Sequence, residues 1–560
     1  MSGFLQAPPI LEDTWASDRA LRESVRFHLG DELYEAAAPE LAQMGRLAAD
    51  PSTLALSAQA ESQPPRLVPY SAWGERVDDI RVSPAYTELG RIGIEAGVTA
   101  LPYEDTAYGE YARVVWAALL HLWGPSSALY SCPVAMTDGA ARTLLLHGDL
   151  DDIAVVGRLT TRDPEHAWTS GQWMTETAGG SDVSRTGTVA RRDENGTWHL
   201  HGTKWFTSST TSEMALTLAR PEGAPEGSKG LALFRIHRRL EDGARNAILV
   251  RRLKDKLGTR ALPTAELELE GAIAFPVGDP LDGGGVRRIS TMLNITRIHN
   301  SLGATGAIAR GLGWARAYAK VREVFGSSLA KLPAHRATLA DMAVDHAASL
   351  TLTVRCSELM GRVEQGSASP DEIDLLRGLT PLTKLTTGRW SIAAVTEAME
   401  AIGGVGYCED STIPTLVRNT HVIPIWEGTT NVLALDFLRA SARSGASTAL
   451  VEDASDALGR ADHPALASPV AATRAALTEL EERSATIASA DDAAAQARGV
   501  ALGLATTYAC ARLCLQGSWA ARSGDLRTAA VAARLAARGL VPPAAPIHHE
   551  LAMDEELSSI

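Results

Sequence analysis

A single carboxylate, Glu427, stands in the stretch PIWEGTTN (Pro424 to Asn431), between the indole of Trp426 and a run of glycine and threonine. An acid set among apolar groups loses the hydration of its charged form, so its pKa rises and it becomes a stronger base. A surface glutamate beside a turn would read the same way. In QWMTETAGGSDVSRTG, from Gln172 to Gly187, Gly179-Gly180-Ser181 can turn bare backbone N–H groups toward an anion, and Trp173 and Met174 offer an apolar wall next to them. The pair suits a ligand with both a ring and a diphosphate. It equally suits a glycine-rich turn entering a β-domain. GTKWFTSS follows with Trp205-Phe206 and then Thr207, Ser208 and Ser209, rings to stack and hydroxyls to bond a ring's rim, or an ordinary half-buried strand. In YAKVREVFGSS, Arg322 precedes Phe325-Gly326. Arginine is the usual fork for phosphate, and it is also common on solvated helix faces. EAMEAIGGVGY ends a helical pattern at Gly403-Gly404, where backbone can approach a ligand or simply cap the helix.

These stretches sit in a chain of 560 residues, which calls for several domains. Residues 1 to about 165 have helical periodicity, as in YARVVWAALLHLWG, with heavy proline and glycine punctuation such as ESQPPRLVPYSAWG. From about 170 to 285 short β-prone runs alternate with turns, and Asn195-Gly196 marks a hairpin. Long amphipathic segments return, one opening near Pro370 and stopping at Gly403-Gly404. From about 445 the chain is alanine-rich and helical, and its last residues, HHELAMDEELSSI, read as a loose acidic tail. The spacing predicts an α+β multidomain protein: an N-terminal helical domain over 1–168, a middle β-domain over 169–285, a helical bundle over 286–442 and an additional C-terminal helical domain over 443–560.

The net charge of -14 repels nucleic acid and anionic membrane at long range, so any such binding needs a local basic patch. One candidate is the last domain, where Arg498, Arg512, Arg522, Arg527, Arg534 and Arg538 face Asp525 alone among nearby acids in sequence. Such arginines are also what solvated helix faces carry. Cys132, Cys356, Cys408, Cys510 and Cys514 have no disulfide rhythm and no CxxC pair, which points to a reducing compartment. No signal peptide and no membrane span is read, and a cytoplasmic protein without a metal site is expected.

Taken as a set, MTETAGGSD, RxxFG (Arg322 to Gly326), AIGGVGY and IWEGTTN resemble, in order and spacing, the flavin-dependent acyl-CoA dehydrogenases over residues 100 to 440. RLKDKLGTRA, EAMEAIGGVGYCED and VIPIWEGTTNVLALDFLR, with the long N-terminal section and the extra helical domain, look most like the AidB-like, alkylation-response branch. The resemblance implies that FAD is the cofactor. It implies Trp173, Met174 and Thr175 along the flavin, Gly180 and Ser181 at its ribityl-diphosphate end, and Phe206, Thr207 and Ser208 over its other edge. Arg322, Gly403 and Gly404 would serve a neighbouring subunit's FAD, and Thr429 and Asn431 the adenine-diphosphate half, in a homotetramer. Glu427 matches the catalytic base, and Arg297 sits where relatives have an arginine close to the active site. The implied reaction removes the α proton of an acyl-CoA or other acyl thioester as the β hydride goes to flavin N5. Electrons would pass on to an electron-transfer flavoprotein or to oxygen. The branch also implies an alternative, a flavoprotein that acts chiefly by binding DNA under alkylation stress, through the C-terminal arginines. Two departures stand out. Many members carry glutamine where this chain has Pro333 and Glu400.

Overall fold

The computed structural model describes residues 6–485 and 490–543. The terminal acidic stretch lies outside the described residues.

Residues Arg19–Ala49, Pro51–Ser62, Pro84–Glu95, Ala112–Trp123, Ser131–His147 and Leu150–Leu159 are helical. Ala112–Trp123 is buried on every side; its residues are apolar except Arg113 and His121, which are paired with carboxylates. The punctuated stretch before Trp73 is not a loop. Arg66–Tyr70 pairs antiparallel with Arg76–Arg81 in a two-stranded ribbon. Its strands hide from sequence periodicity because Pro69 interrupts the first, a residue that only an edge strand admits. Asp78 anchors the ribbon to the middle sheet, accepting from the Val250 amide at 3.1 Å and from Arg245 at 2.9 Å.

The sheet is built from Ser170–Gln172, Val189–Arg192, Trp198–Ser208, Met214–Pro221, Ala232–His237, Ile248–Leu253 and Thr264–Pro276. Met214–Pro221 pairs parallel with Val189–Arg192 and antiparallel with Ala232–His237; the latter meets Thr264–Pro276, which pairs with Trp198–Ser208. Val189–Arg192 and Trp198–Ser208 are the hairpin around Asn195-Gly196, so the pairing runs in a ring and the sheet closes on itself. Leu200, Phe234, Ile236, Leu267 and the Trp173 indole fill its interior. Register slips between Lys204 and Thr207, and this bulge lifts Trp205 and Phe206 off the ladder.

Three long helices, Gly285–Val321, Pro333–Gln365 and Pro370–Ile402, form the bundle with Thr430–Arg443. The Pro370 helix opens on a capping box between Ser369 and Glu372 and ends at Gly403, whose φ of 76° suits a residue without Cβ. Ala446–Arg460, Ala467–Ala485, Ala490–Ala521 and Arg527–Ala537 complete the chain. One continuous apolar core runs from the N-terminal helices through the bundle into these last helices, joining Leu41, Trp116, Leu352, Leu382, Phe437 and Tyr508. The architecture is thus helical, β and helical in turn, with a further helical unit packed on the bundle. Among the described residues no helix is long and apolar enough to cross a membrane.

Candidate active site

Glu427 lies in the irregular segment between the helices Ile413–Thr420 and Thr430–Arg443. Its backbone is left-handed, φ 58°, a conformation that costs a residue with a Cβ. Two neutral donors reach its carboxylate. Thr296 Oγ1 donates to Oε2 at 2.8 Å, and Gln172 Nε2 donates to Oε1 at 3.3 Å. Burial pushes the Glu427 carboxyl above the usual glutamate value, outweighing those two bonds and the nearby charges of Arg297 and Lys384. The Thr296 hydroxyl also lies 3.0 Å from Met292 O and 3.1 Å from Leu293 O, so its one proton can go to the carboxylate or to a carbonyl of its own helix. It serves the carboxylate when Glu427 is ionised and the helix carbonyl when Glu427 is protonated.

Both cations beside Glu427 bond the backbone. Arg297 Nε donates to Glu427 O at 3.3 Å, and Arg297 Nη1 pairs with Asp436 at 2.9 Å. Lys384 Nζ donates to Trp426 O and to Gly428 O, each at 2.6 Å. Lys384 is not among the residues that the sequence points to. The available signal is a lone lysine in LTPLTKLTTG, the apolar centre of a long helix, where an ammonium has to find partners. Thr296 and Gln172 are also missed by sequence reasoning, although Thr296 adjoins Arg297 and Gln172 adjoins Trp173.

The remaining candidates fall into two groups. Those near Glu427 follow Gln172 along the chain. The Trp173 indole is only 1% exposed and packs inside the closed sheet, with Nε1 donating to Ser208 O at 3.3 Å, so it is no open wall. Met174 is buried, and Thr175 O accepts from the Trp205 amide at 2.9 Å, which ties this strand end to the bulge. Phe206 is half exposed; Thr207 Oγ1 donates to Ala265 O at 2.8 Å, and Ser208 Oγ lies 3.1 Å from Thr264 Oγ1. Gly180 and Ser181 are exposed. A Cβ on Gly180 would stand 2.9 Å from Thr175 Oγ1, so the glycine is what lets the loop fold back on that strand. Thr429 is the N-cap of the next helix, and Asn431 Oδ1 accepts from Arg498 at 3.4 Å.

The second group is remote. Arg322 ends the helix that carries Thr296, roughly 37 Å further along its axis than Arg297 at 1.5 Å per residue. Its Nη1 donates to Gln6 Oε1 at 3.0 Å. The turn beyond it, Phe325-Gly326, joins two-residue strands with both residues left-handed (φ 50° and 77°), and Phe325 is 98% exposed. Gly403 and Gly404 lie about 28 Å along their helix from Lys384 by the same rise, with nothing within 4 Å of an added Cβ.

The six C-terminal arginines are not an unopposed patch. Arg512 pairs with Asp453, Arg522 with Asp462, Arg534 with Asp341, and Arg538 with Asp341 and Asp345. The opposing acids come from segments far away in sequence. Asp18, His121 and His346 bring possible ligand atoms within 4.8 Å of one another. At His346 the charge of Asp18 favours a cation, while burial and the charges of Arg316 and Arg527 oppose one.

Among known protein families, residues 283–442 match the acyl-CoA dehydrogenase C-terminal domain, 171–272 its middle domain, and 6–163 the adaptive response protein AidB N-terminal domain. The chain belongs to the acyl-CoA dehydrogenase family, in its AidB-like branch, and FAD is that family's cofactor. It is 45% identical over 447 residues to acyl-CoA dehydrogenase family member 11 of Caenorhabditis elegans, covering 78% of this chain and 72% of that one. To the AidB protein of Escherichia coli K12 it is 36% identical, covering 71% and 73%. The crystal structure of Caenorhabditis elegans ACDH-11 in complex with C11-CoA superposes with a TM-score of 0.93 at 39% identity, over 97% of this chain and 94% of that one.

Proposed function

We propose that the protein is an FAD-dependent acyl-CoA dehydrogenase in which Glu427 removes the α proton of an acyl thioester. The observation that carries this reading is the Glu427 carboxylate itself, held at both oxygens by neutral donors and made more basic by burial. The residues present fit the cofactor. The buried Gln172 Oε1 has no partner, the glycine loop at Gly180-Ser181 is open, and Phe206 is displaced from its ladder beside the strand end at Thr175. Trp173 to Thr175, Gly180, Ser181 and Phe206 to Ser208 would hold the flavin and its diphosphate. Trp173 would do so mainly through backbone, because its ring is committed to the sheet's core. Bound FAD supplies the hydride acceptor for the β carbon.

The chain's own groups do the rest. Thr296 and Gln172 orient the carboxylate, and after proton transfer the Thr296 hydroxyl can accept from the new Glu427 carboxylic acid and return its own proton toward Met292 O. The spans of two helices, roughly 37 Å and 28 Å, separate Arg322 and Gly403-Gly404 from this site. They support the reading that those residues hold the FAD of a neighbouring subunit in a tetramer, with Phe325 covered there. The proposal does not extend to DNA, because four of the six C-terminal arginines are matched by carboxylates.

Anaerobic titration of the FAD-loaded protein with acyl-CoA thioesters tests the reading, beginning with the C11-CoA named for the nematode relative. Bleaching of the flavin is expected, and Glu427→Gln should slow it by about 10²–10⁴-fold. Equal bleaching rates in the two proteins, or a polypeptide that takes up no FAD, would overturn it.

A further inference from the structure

Three consecutive carbonyl oxygens, those of Trp426, Glu427 and Gly428, accept hydrogen bonds from side-chain cations. The donors come from different helices, Lys384 from Pro370–Ile402 and Arg297 from Gly285–Val321. Lys384 makes two of the three bonds and is fully buried. It spans the outer pair of carbonyls, bracketing the one residue of the segment that is left-handed without being glycine. Nothing in local secondary structure fixes that conformation, since the segment lies between two helices. A buried ammonium has to be solvated by something, and here the solvating groups are the peptide units on either side of the base.

We propose that Lys384 is a positioning residue: its ammonium clamps the carbonyls flanking Glu427, holds that residue in its left-handed conformation, and so keeps the carboxylate seated against Thr296 and Gln172. The proposal rests on the dehydrogenase reading of Glu427 given above. The clamp differs from an ion pair. Had Lys384 bonded the carboxylate, it would have quenched the base; bonded to the carbonyls, it fixes direction and lowers basicity only through its charge at a distance.

Its charge is poised. Burial pushes the Lys384 ammonium down to about 7, with Glu427 opposing that fall and Arg297 adding to it. The other charges at this junction are Asp436, which pairs with Arg297, and Arg377, which pairs with Asp436. As pH rises through about 7, the clamp therefore loses its charge and weakens.

Hydrogen exchange over residues 422–433 tests this without substrate. In the wild-type protein the protection of this segment, corrected for intrinsic exchange, should fall across that same pH range. In Glu427→Gln the midpoint of the fall should move down, because the carboxylate that favours the ammonium is gone. Lys384→Met should exchange about tenfold faster at pH 6, and Lys384→Arg should restore most of the protection. On the FAD-loaded protein, Lys384→Met should slow bleaching with little change in acyl-CoA affinity, and should move the pH midpoint of bleaching upward by about one pH unit as a cation near the base is lost. If no acyl-CoA bleaches the wild-type flavin, the function above fails, and the exchange arm still decides Lys384. If the flavin bleaches but Lys384→Met alters neither segment exchange nor the pH midpoint, the clamp is refuted while Glu427 keeps its role. Should Lys384→Met fail to fold, Lys384→Gln takes its place: faster exchange over residues 422–433 than in the wild type at pH 6 supports the clamp, and unchanged exchange refutes it.

Discussion

Two buried carboxylates in this molecule receive opposite treatment. Asp138 accepts from Arg113 at 2.7 and 3.0 Å, from His299 at 2.8 Å and from Tyr103 at 2.6 Å. Burial raises its pKa, yet Arg113 and His299 more than reverse that and hold it well below the usual range. Glu427 also has two cations nearby, but they bond its backbone and its neighbours' backbone instead of its carboxylate, and its carboxyl rises. The lesson is that proximity of charge does not settle acidity. What settles it is whether the cation's donors are spent on the carboxylate or elsewhere. The first arrangement ties the helices Ala112–Trp123, Ser131–His147 and Gly285–Val321 together; the second leaves a carboxylate with raised proton affinity, as the proposed base requires.

Replacing each acid by its amide breaks this comparison most directly. Asp138→Asn removes one of the two carboxylates on the buried Arg113, leaving Glu364 alone, and takes the charge partner from His299; it should cost about 3 kcal/mol of stability by denaturant unfolding. That loss should be largest near neutral pH and shrink as pH falls, because a lowered pKa stabilises the fold only above the ordinary carboxylate range. Thr296→Val removes the stronger donor to Glu427. It should cost the ionised form about 2 kcal/mol and move the pH midpoint of flavin bleaching upward. Glu427→Gln should act in the opposite sense to Asp138→Asn and stabilise the protein by about 1 kcal/mol at neutral pH. Its advantage should disappear at low pH, since a group with a raised pKa destabilises the fold only as pH climbs through that value. Equal signs for the two amides would end the contrast. The exposed ion pairs set the floor: Arg534→Ala with Arg538→Ala, on half-exposed partners, should cost no more than about 1 kcal/mol.

Glu427 is legible in the sequence because its neighbours are short, distinctive and contiguous. So is the closed sheet's hairpin at Asn195-Gly196, and so is the long helix between Pro370 and Gly403, each announced by turn or cap chemistry. The groups that tune Glu427 are not legible. Lys384 and Thr296 reach it from two other helices, and no period along one helix reveals what a loop some forty or more than a hundred residues later will present to it. Arg297 stands out in the sequence, but the bonds it makes are to Glu427 O and Asp436. Trp173 reads as a wall because an indole beside glycines suggests one, whereas closure of the sheet takes that ring inside. The C-terminal arginines mislead for a related reason. Local charge counting sees Asp525 and cannot see Asp341, Asp345 or Asp453, which only folding brings across.

The left-handed backbone at Glu427 has a consequence for anyone breeding this protein for heat resistance. Glycine, or the more tolerant asparagine, fits that torsion better than glutamate and removes an uncomfortable desolvated acid as well. A screen that scores only survival at high temperature will therefore drift toward Glu427→Gly or Glu427→Asn, and on the role proposed for Glu427 its hardiest clones would be inert. Selection has to include turnover if the residue is to be kept.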